Sequence, residues 1–281
     1  MRTSSVGLAT AVLAVCCERT RPPVPDFDHP EQLRATYDRT TTCVLSQGVV
    51  ACKGDNSRGL VGGGDRRAEI SAFRRVELPD RIAEIQITPT SNAACALTVD
   101  GGLWCWGINL GLLGTAVPLL RGSEPEKSIA APTRVGEGVA FKSFVLWAFH
   151  ACALDRSGTA YCWGDNRAGQ VVDPHAAAAP VVLAPRRVDL PGPAAELHLQ
   201  DVQSCALLQS RDLYCWGGAF ADAAGVRPLF GPTRVGTAVT SVSVDVANER
   251  TCIQTHAGRS CWAVRDSAVE RAIAELLPEE Q

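Results

Sequence analysis

Along most of this chain, apolar and polar residues alternate with a period of two over six to eight residues, and helical spacing is rare. Such runs lie at Ile82–Thr88, Phe141–Trp147, Glu196–Asp201 and Val239–Asp245, with a weaker one at Gln32–Asp38. Alternation of this kind predicts half-buried β-strands. Each run is followed by a segment that folds back on itself. In CALTVDGGLWC, setting Cys95 opposite Cys105 places Ala96 opposite Trp104 and Leu97 opposite Leu103, leaving Val99-Asp100-Gly101 as a three-residue loop. Gly ends that loop, where a type I turn with a G1 bulge needs the left-handed conformation. Gly158 takes the same place in CALDRSGTAYC, and Arg211 violates it in CALLQSRDLYC. Two other hairpins have two-residue loops: Gln47-Gly48, which suits a tight turn, and His256-Ala257, which suits it poorly. After each of the first four hairpins comes a loop of variable length and a short strand: Phe73–Val76, Pro132–Val135, Pro185–Val188 and Pro232–Val235. Four strands in about 52 residues is the size of one propeller blade. The predicted fold is therefore all-β, a β-propeller of four-stranded blades with about five repeats. The pattern changes only at the end of the chain. In Asp266–Leu277, the residues Ala268, Val269, Ala272, Ile273, Leu276 and Leu277 recur at helical spacing before Pro278, which predicts one short amphipathic helix.

The cysteines carry the same periodicity. Apart from Cys16 and Cys17, ten of the twelve form five pairs: Cys43 with Cys52, Cys95 with Cys105, Cys152 with Cys162, Cys205 with Cys215, and Cys252 with Cys261. Residues directly opposite on antiparallel strands have Cα atoms about 4.5–5.5 Å apart, within the range of a disulfide. Five bridges, one per hairpin, are the leading expectation. Zinc sites use ligands two to four residues apart, which does not match this spacing, and unpaired buried thiols are the other alternative.

The units resemble the regulator-of-chromosome-condensation repeat. The resemblance is clearest in HACALDRSGTAYCWGDNRAGQV (150–171) and recurs in AACALTVDGGLWCWGINLGLLG (93–114), SCALLQSRDLYCWGG (204–218) and CVLSQGVVACKGDNSRGLVG (43–62); the last unit, TCIQTHAGRSCWAV, keeps only the hairpin. It covers roughly residues 31–264. The family implies a propeller, usually of seven blades, where this chain has five units. The paired cysteines resemble a secreted bacterial branch of these repeats. Only four outer strands are found for five hairpins, so the fifth blade lacks one. Pro22–Phe27 is predicted to supply it, because Val24 precedes Asp38 by nearly the interval that separates Val188 from Asp201. That strand would close the ring. The rival is an open arc, with the C-terminal helix over its exposed side and Pro22–Phe27 as a free tether.

Charge and composition narrow the function. The chain has 281 residues with a net charge of −3 and no basic tract, which argues against a nucleic-acid partner. Residues 1–16 read as an export signal: Arg2, a short apolar stretch, then Leu13-Ala14-Val15-Cys16, which resembles a lipobox and makes Cys16 the expected lipid anchor in a membrane. An ordinary secretory signal that happens to end in Cys is the alternative. Residues 17–30 form a Pro-rich tether, residues 31–264 the propeller repeats, and residues 265–281 the helix and tail.

No catalytic or metal-binding set is recognisable, and no cofactor is expected. The five His form no His-x3-His or His-Glu-x2-His arrangement. His150 occupies a position of the repeat that is not His in the other units, which favours a structural hydrogen bond. Asp55-Asn56 and Asp165-Asn166 suit Asx turns better than calcium. Trp106, Trp163 and Trp216 repeat in equivalent places, which favours packing between blades. Trp147 does not repeat and is the candidate partner contact.

The expected function is a non-enzymatic cell-envelope scaffold that binds a protein partner through its loops, especially Gly111–Pro132 and Val171–Pro185. Alternatives are a secreted enzyme inhibitor, since one secreted bacterial propeller of this repeat class inhibits a β-lactamase, and a carbohydrate-binding or hydrolytic envelope protein. The family's role in nucleotide exchange on a small GTPase fits poorly with an export signal and disulfides.

Overall fold

A computed structural model describes residues 27, 32–35, 40–66, 69–88, 93–108, 113–114, 128–171, 180–222, 225–229, 231–245 and 250–264. Cys16, nearly all of residues 17–30, the expected helix at 266–277 and much of the two long loops lie outside them.

The strands form five antiparallel sheets. Blade 1 is β1 (Gln32–Ala35), β2 (Thr41–Ser46), β3 (Val49–Asp55) and β4 (Glu69–Arg75). Blade 2 is β5 (Ile82–Ile87), β6 (Ala93–Thr98), β7 (Leu103–Ile108) and β8 (Ser128–Val135). Blade 3 is β9 (Phe141–Leu146), β10 (His150–Asp155), β11 (Ala160–Asp165) and β12 (Val181–Arg187). In blade 4, β13 (Ala194–Gln200), β14 (Gln203–Leu208) and β15 (Leu213–Trp216) are followed by an inserted hairpin, β16 (Ala219–Asp222) and β17 (Gly225–Pro228), before the outer strand β18 (Thr233–Gly236). Blade 5 has β19 (Val239–Asp245), β20 (Arg250–Thr255) and β21 (Gly258–Ala263).

The hairpin registers are those the cysteines predict. Cys95 faces Cys105, Ala96 faces Trp104 and Leu97 faces Leu103. Every pair is bridged: Cys43 to Cys52 in blade 1, Cys95 to Cys105 in blade 2, Cys152 to Cys162 in blade 3, Cys205 to Cys215 in blade 4, and Cys252 to Cys261 in blade 5. Their Cα atoms are 4.0–4.1 Å apart, slightly closer than the opposed-strand spacing expected from the sequence, because the bridge draws the two strands together. Each bridge closes a loop of about ten residues, which restricts the unfolded chain by roughly 2–3 kcal/mol.

The blades have a direction. In each of the first four, the disulfide and the pair beside it face the next blade: Leu45 and Val50, Leu97 and Leu103, Leu154 and Ala160, Leu207 and Leu213. The neighbouring residues, including Trp106, Trp163, Trp216 and Trp262, face the preceding blade. Four apolar cores result, one at each junction between consecutive blades. Hydrogen bonds cross the same junctions. Trp106 Nε1 donates to Leu60 O at 2.8 Å and Trp262 Nε1 to Gln203 Oε1 at 3.1 Å. The Gln86 amide donates to Phe144 O and accepts from Leu146 N, tying β5 to β9.

The hairpin tips add a repeated clamp. The carbonyls of Gly48, Gly101, Gly158 and Arg211 each accept the N–H of the first residue of the next blade, Ile82, Phe141, Ala194 and Val239, at 2.9 Å. All four tip residues have positive φ, and Arg211 takes 68° despite its side chain. At Gly158 a Cβ would lie 2.8 Å from Ala194 O, so this approach requires the missing side chain.

Blade 5 departs from the pattern on its forward side. Gln254 and Arg259 stand where the other blades have the apolar pair, and both are exposed, as is Cys261. The corresponding cysteines of the other blades, Cys52, Cys105, Cys162 and Cys215, are each 0% exposed. At the opposite end, Lys53 occupies the Trp position of blade 1. No core among the described residues joins blade 5 to blade 1, and each of these two blades carries polar residues where the others have apolar ones.

The outer edge of blade 5 carries an unexpected neighbour. Beside the end of β21 lies β16, joined to it through the pair Ala221 and Ala263, giving a five-stranded sheet in the order β17-β16-β21-β20-β19. The blade 4 hairpin thus meets β21 at its last residue, and the expected closing strand at Pro22–Phe27 lies almost wholly outside the described residues. Of that segment only Phe27 is described, and its ring lies 5.8 Å from that of Phe73 on β4, in blade 1.

Candidate interaction face

The antiparallel order places the β9–β10 turn, the β11–β12 loop, the β13–β14 turn and the insertion of blade 4 on one face, opposite the hairpin tips. The β9–β10 turn is Trp147-Ala148-Phe149, closed by Trp147 N donating to His150 O at 3.1 Å. It is anchored to β11 by Asp165 N donating to Phe149 O at 2.8 Å. Phe149, at 36%, and Val99, at 56% on the opposite face, are the large hydrophobic residues exposed among those described.

Trp147 is half-buried against the core between blades 3 and 4. Its Nε1–H donates to Asp201 Oδ1, in the β13–β14 turn of the next blade, at 2.7 Å. A charge-assisted bond of this length fixes the indole in one orientation. The result is a pre-set aromatic pair, Trp147 with Phe149, of the type that anchors protein interfaces.

Beneath it lies a sealed polar relay. His150 is fully buried, with Nε2 3.0 Å from Ser204 Oγ, and Ser204 Oγ donates to Gln170 O at 2.7 Å. Ser204 has thus committed its proton to a carbonyl and accepts one from the ring, which places the imidazole hydrogen on Nε2 and leaves Nδ1 without a partner. Burial pushes the His150 pKa down to about 4, opposed in part by the nearby charges of Asp165 and Asp201. The distance resembles that of a nucleophile and its base, but both residues are 0% exposed and the hydroxyl is already committed. The arrangement holds blades together and offers no route to a substrate.

The Asp-Asn turns are used locally. Asn56 Oδ1 accepts from Val61 N and Asn166 Oδ1 from Val171 N, each at 3.0 Å. Asp55 caps Ser57 N at 2.8 Å, and Asp165 forms a two-pronged ion pair with Arg167, at 2.7 Å for the closer contact. His198, half-buried on β13, lies 3.3 Å from Glu196 Oε2. Its pKa is lowered by burial and raised less by that carboxylate. Among the described residues no three potential ligands gather into a metal site. Phe149 and Asp201 were not marked by the sequence pattern. Phe149 carried a signal, an aromatic in a turn beside Trp147, but the partnership with Asp201 depends on the approach of a different blade.

Comparison with known proteins agrees with this architecture. Residues 148–170 match the model of the regulator of chromosome condensation (RCC1) repeat. No curated protein sequence gives a match. Among solved structures, human WBSCR16 superposes with a TM-score of 0.64 at 16% identity, over 80% of this chain and 60% of its own. Prp20p from Saccharomyces cerevisiae, described with its binding properties to Gsp1p and histones, gives 0.59 at 19% identity over 87% and 58%. Yeast RCC1 (Prp20) bound to Kap60 gives 0.57 at 18% identity over 88% and 57%. The chain thus spans about three-fifths of the length of these structures, and at such identities the likeness is one of fold. The chain thus has the fold of a β-propeller, with one RCC1 repeat matched at its centre.

Proposed function

We propose that this protein is a non-enzymatic binding propeller of the cell envelope, lipid-anchored through Cys16, which takes a protein partner on the face that carries Trp147 and Phe149. The observation that carries the reading is Trp147, held by Asp201 and set beside the exposed Phe149 on the loop-bearing face, while Trp106, Trp163, Trp216 and Trp262 are buried between blades. Loops set on a rigid scaffold are the usual place for recognition. Five disulfides suit an oxidising compartment outside the cytosol. Propellers of similar fold include one solved with a protein partner, Kap60.

The test is affinity capture from envelope extracts with the wild type, a Trp147→Ala/Phe149→Ala double variant, and Val99→Ala as a control on the opposite face. The expected outcome is a defined partner retained by wild type and control and reduced at least tenfold in the double variant. Equal capture by all three would overturn this face as the contact. Anchoring is tested separately by Cys16→Ser, which should move the protein from the membrane fraction to the soluble one.

A further inference from the structure

The rear face of blade 1, the side turned away from blade 2, is built to be covered. Val44, Val49 and Ala51 point to it and are only 1%, 6% and 0% exposed, yet they belong to none of the four inter-blade cores. The same face carries Lys53 and Arg75, and Arg75 Nε is buried with no hydrogen-bond partner. Lys53 Nζ sits 4.5 Å from the centre of the Phe73 ring, and Phe27 packs on that ring from upstream of β1.

We propose that residues 17–30 are a docked cap on the rear face of blade 1, with Phe27 seated on Phe73 as the anchor. The contact of Phe27 identifies the occupant. Charge supports it: Asp26 and Asp28 flank Phe27 and complement Lys53 and Arg75. The cost of ordering is small. Phe27 is five residues from Gln32, so the segment is held close by a short connection, and Pro22, Pro23, Pro25 and Pro30 restrict the free chain beforehand. One consequence rests on the anchor reading above. Phe27 follows Cys16 by eleven positions, a reach of at most about 40 Å, so a lipid on Cys16 would hold blade 1 next to the membrane.

Limited chymotrypsin digestion of the full chain tests the cap, because cleavage after Phe27 requires that residue to leave its seat. In the wild type the cut should be slow. In Phe73→Ala it should be at least tenfold faster, while cuts inside blade 1 keep their wild-type rates, which separates undocking from unfolding. Equal rates after Phe27 in both proteins would overturn the proposal. A second measurement compares melting temperatures. Deleting residues 17–30 should lower the midpoint by about 3 °C or more, and deleting residues 265–281 should not. The reverse result would assign the face to the C-terminal segment and overturn the proposal. Digestion of Cys16→Ser protein separates cap from anchor, since slow cleavage after Phe27 is expected there whether or not Cys16 is acylated.

Discussion

His150 bonds through one ring nitrogen and leaves the other bare, and this makes it the residue most sensitive to acid. Its ring is neutral in the folded protein down to about pH 4, whereas an unfolded His takes up a proton near 6.5. Because the folded value is the lower one, the stability it confers is complete above about pH 6.5 and is lost as the pH falls towards 4. The gap is worth about 3 kcal/mol at most. Denaturant melts between pH 7.5 and 4.5 should show this loss in the wild type and a visibly flatter profile in His150→Gln, which keeps a donor for Ser204 without a titrating ring. Parallel profiles would remove His150 as the cause. A structural hydrogen bond at His150 was legible from the sequence, because only one repeat carries His at that place. Its partner, Ser204, was not, since the two positions are 54 residues apart and their approach is set by the packing of two blades.

Elements that pair within one repeat were readable, and elements that pair between repeats were not. The strand from Val239 to Asp245 is where alternation places it, and the cysteine-to-cysteine hairpins have the expected register, with Cys52, Cys162 and Cys215 each opposite the partner that the spacing assigns. The β16–β17 hairpin went unrecognised because Phe220 to Pro228 sits inside a loop of blade 4, whereas the strand it meets, through Ala221 and Ala263, is β21 of blade 5. Nothing in the local pattern distinguishes such a segment from an ordinary connection. Unpaired strand edges invite pairing with other chains. Replacing residues 219–228 with a short Gly-Ser linker should therefore lower the melting temperature by several degrees and produce concentration-dependent association in light scattering. A variant that stays monomeric with an unchanged midpoint would show that β21 needs no cover.

At the scale of the molecule, the first and last blades are set apart by a few residues. The apolar pairs of blades 1 to 4 give way to Gln254 and Arg259, and the Trp position of blade 1 is Lys53. Terminal repeats of stacked arrays need such polar outer faces. The substitutions were visible in the sequence, but their meaning depends on which side of the strand faces the next blade, and that required the packed structure. Restoring the pattern with Gln254→Leu and Arg259→Leu should create an adhesive end: the double variant is expected to self-associate at micromolar concentration in sedimentation velocity, where the wild type does not. Cross-hairpin bridges have a further consequence, a mechanical one. When the two ends of the molecule are pulled, tension enters each blade along its inner strand and crosses from the second strand to the third through the sulfur–sulfur bond. It does not travel around the hairpin. About ten residues per blade, on the order of 35 Å of slack, are never released. A blade stripped of its outer strand under load would keep its central hairpin in register, ready to rewind when the load is removed.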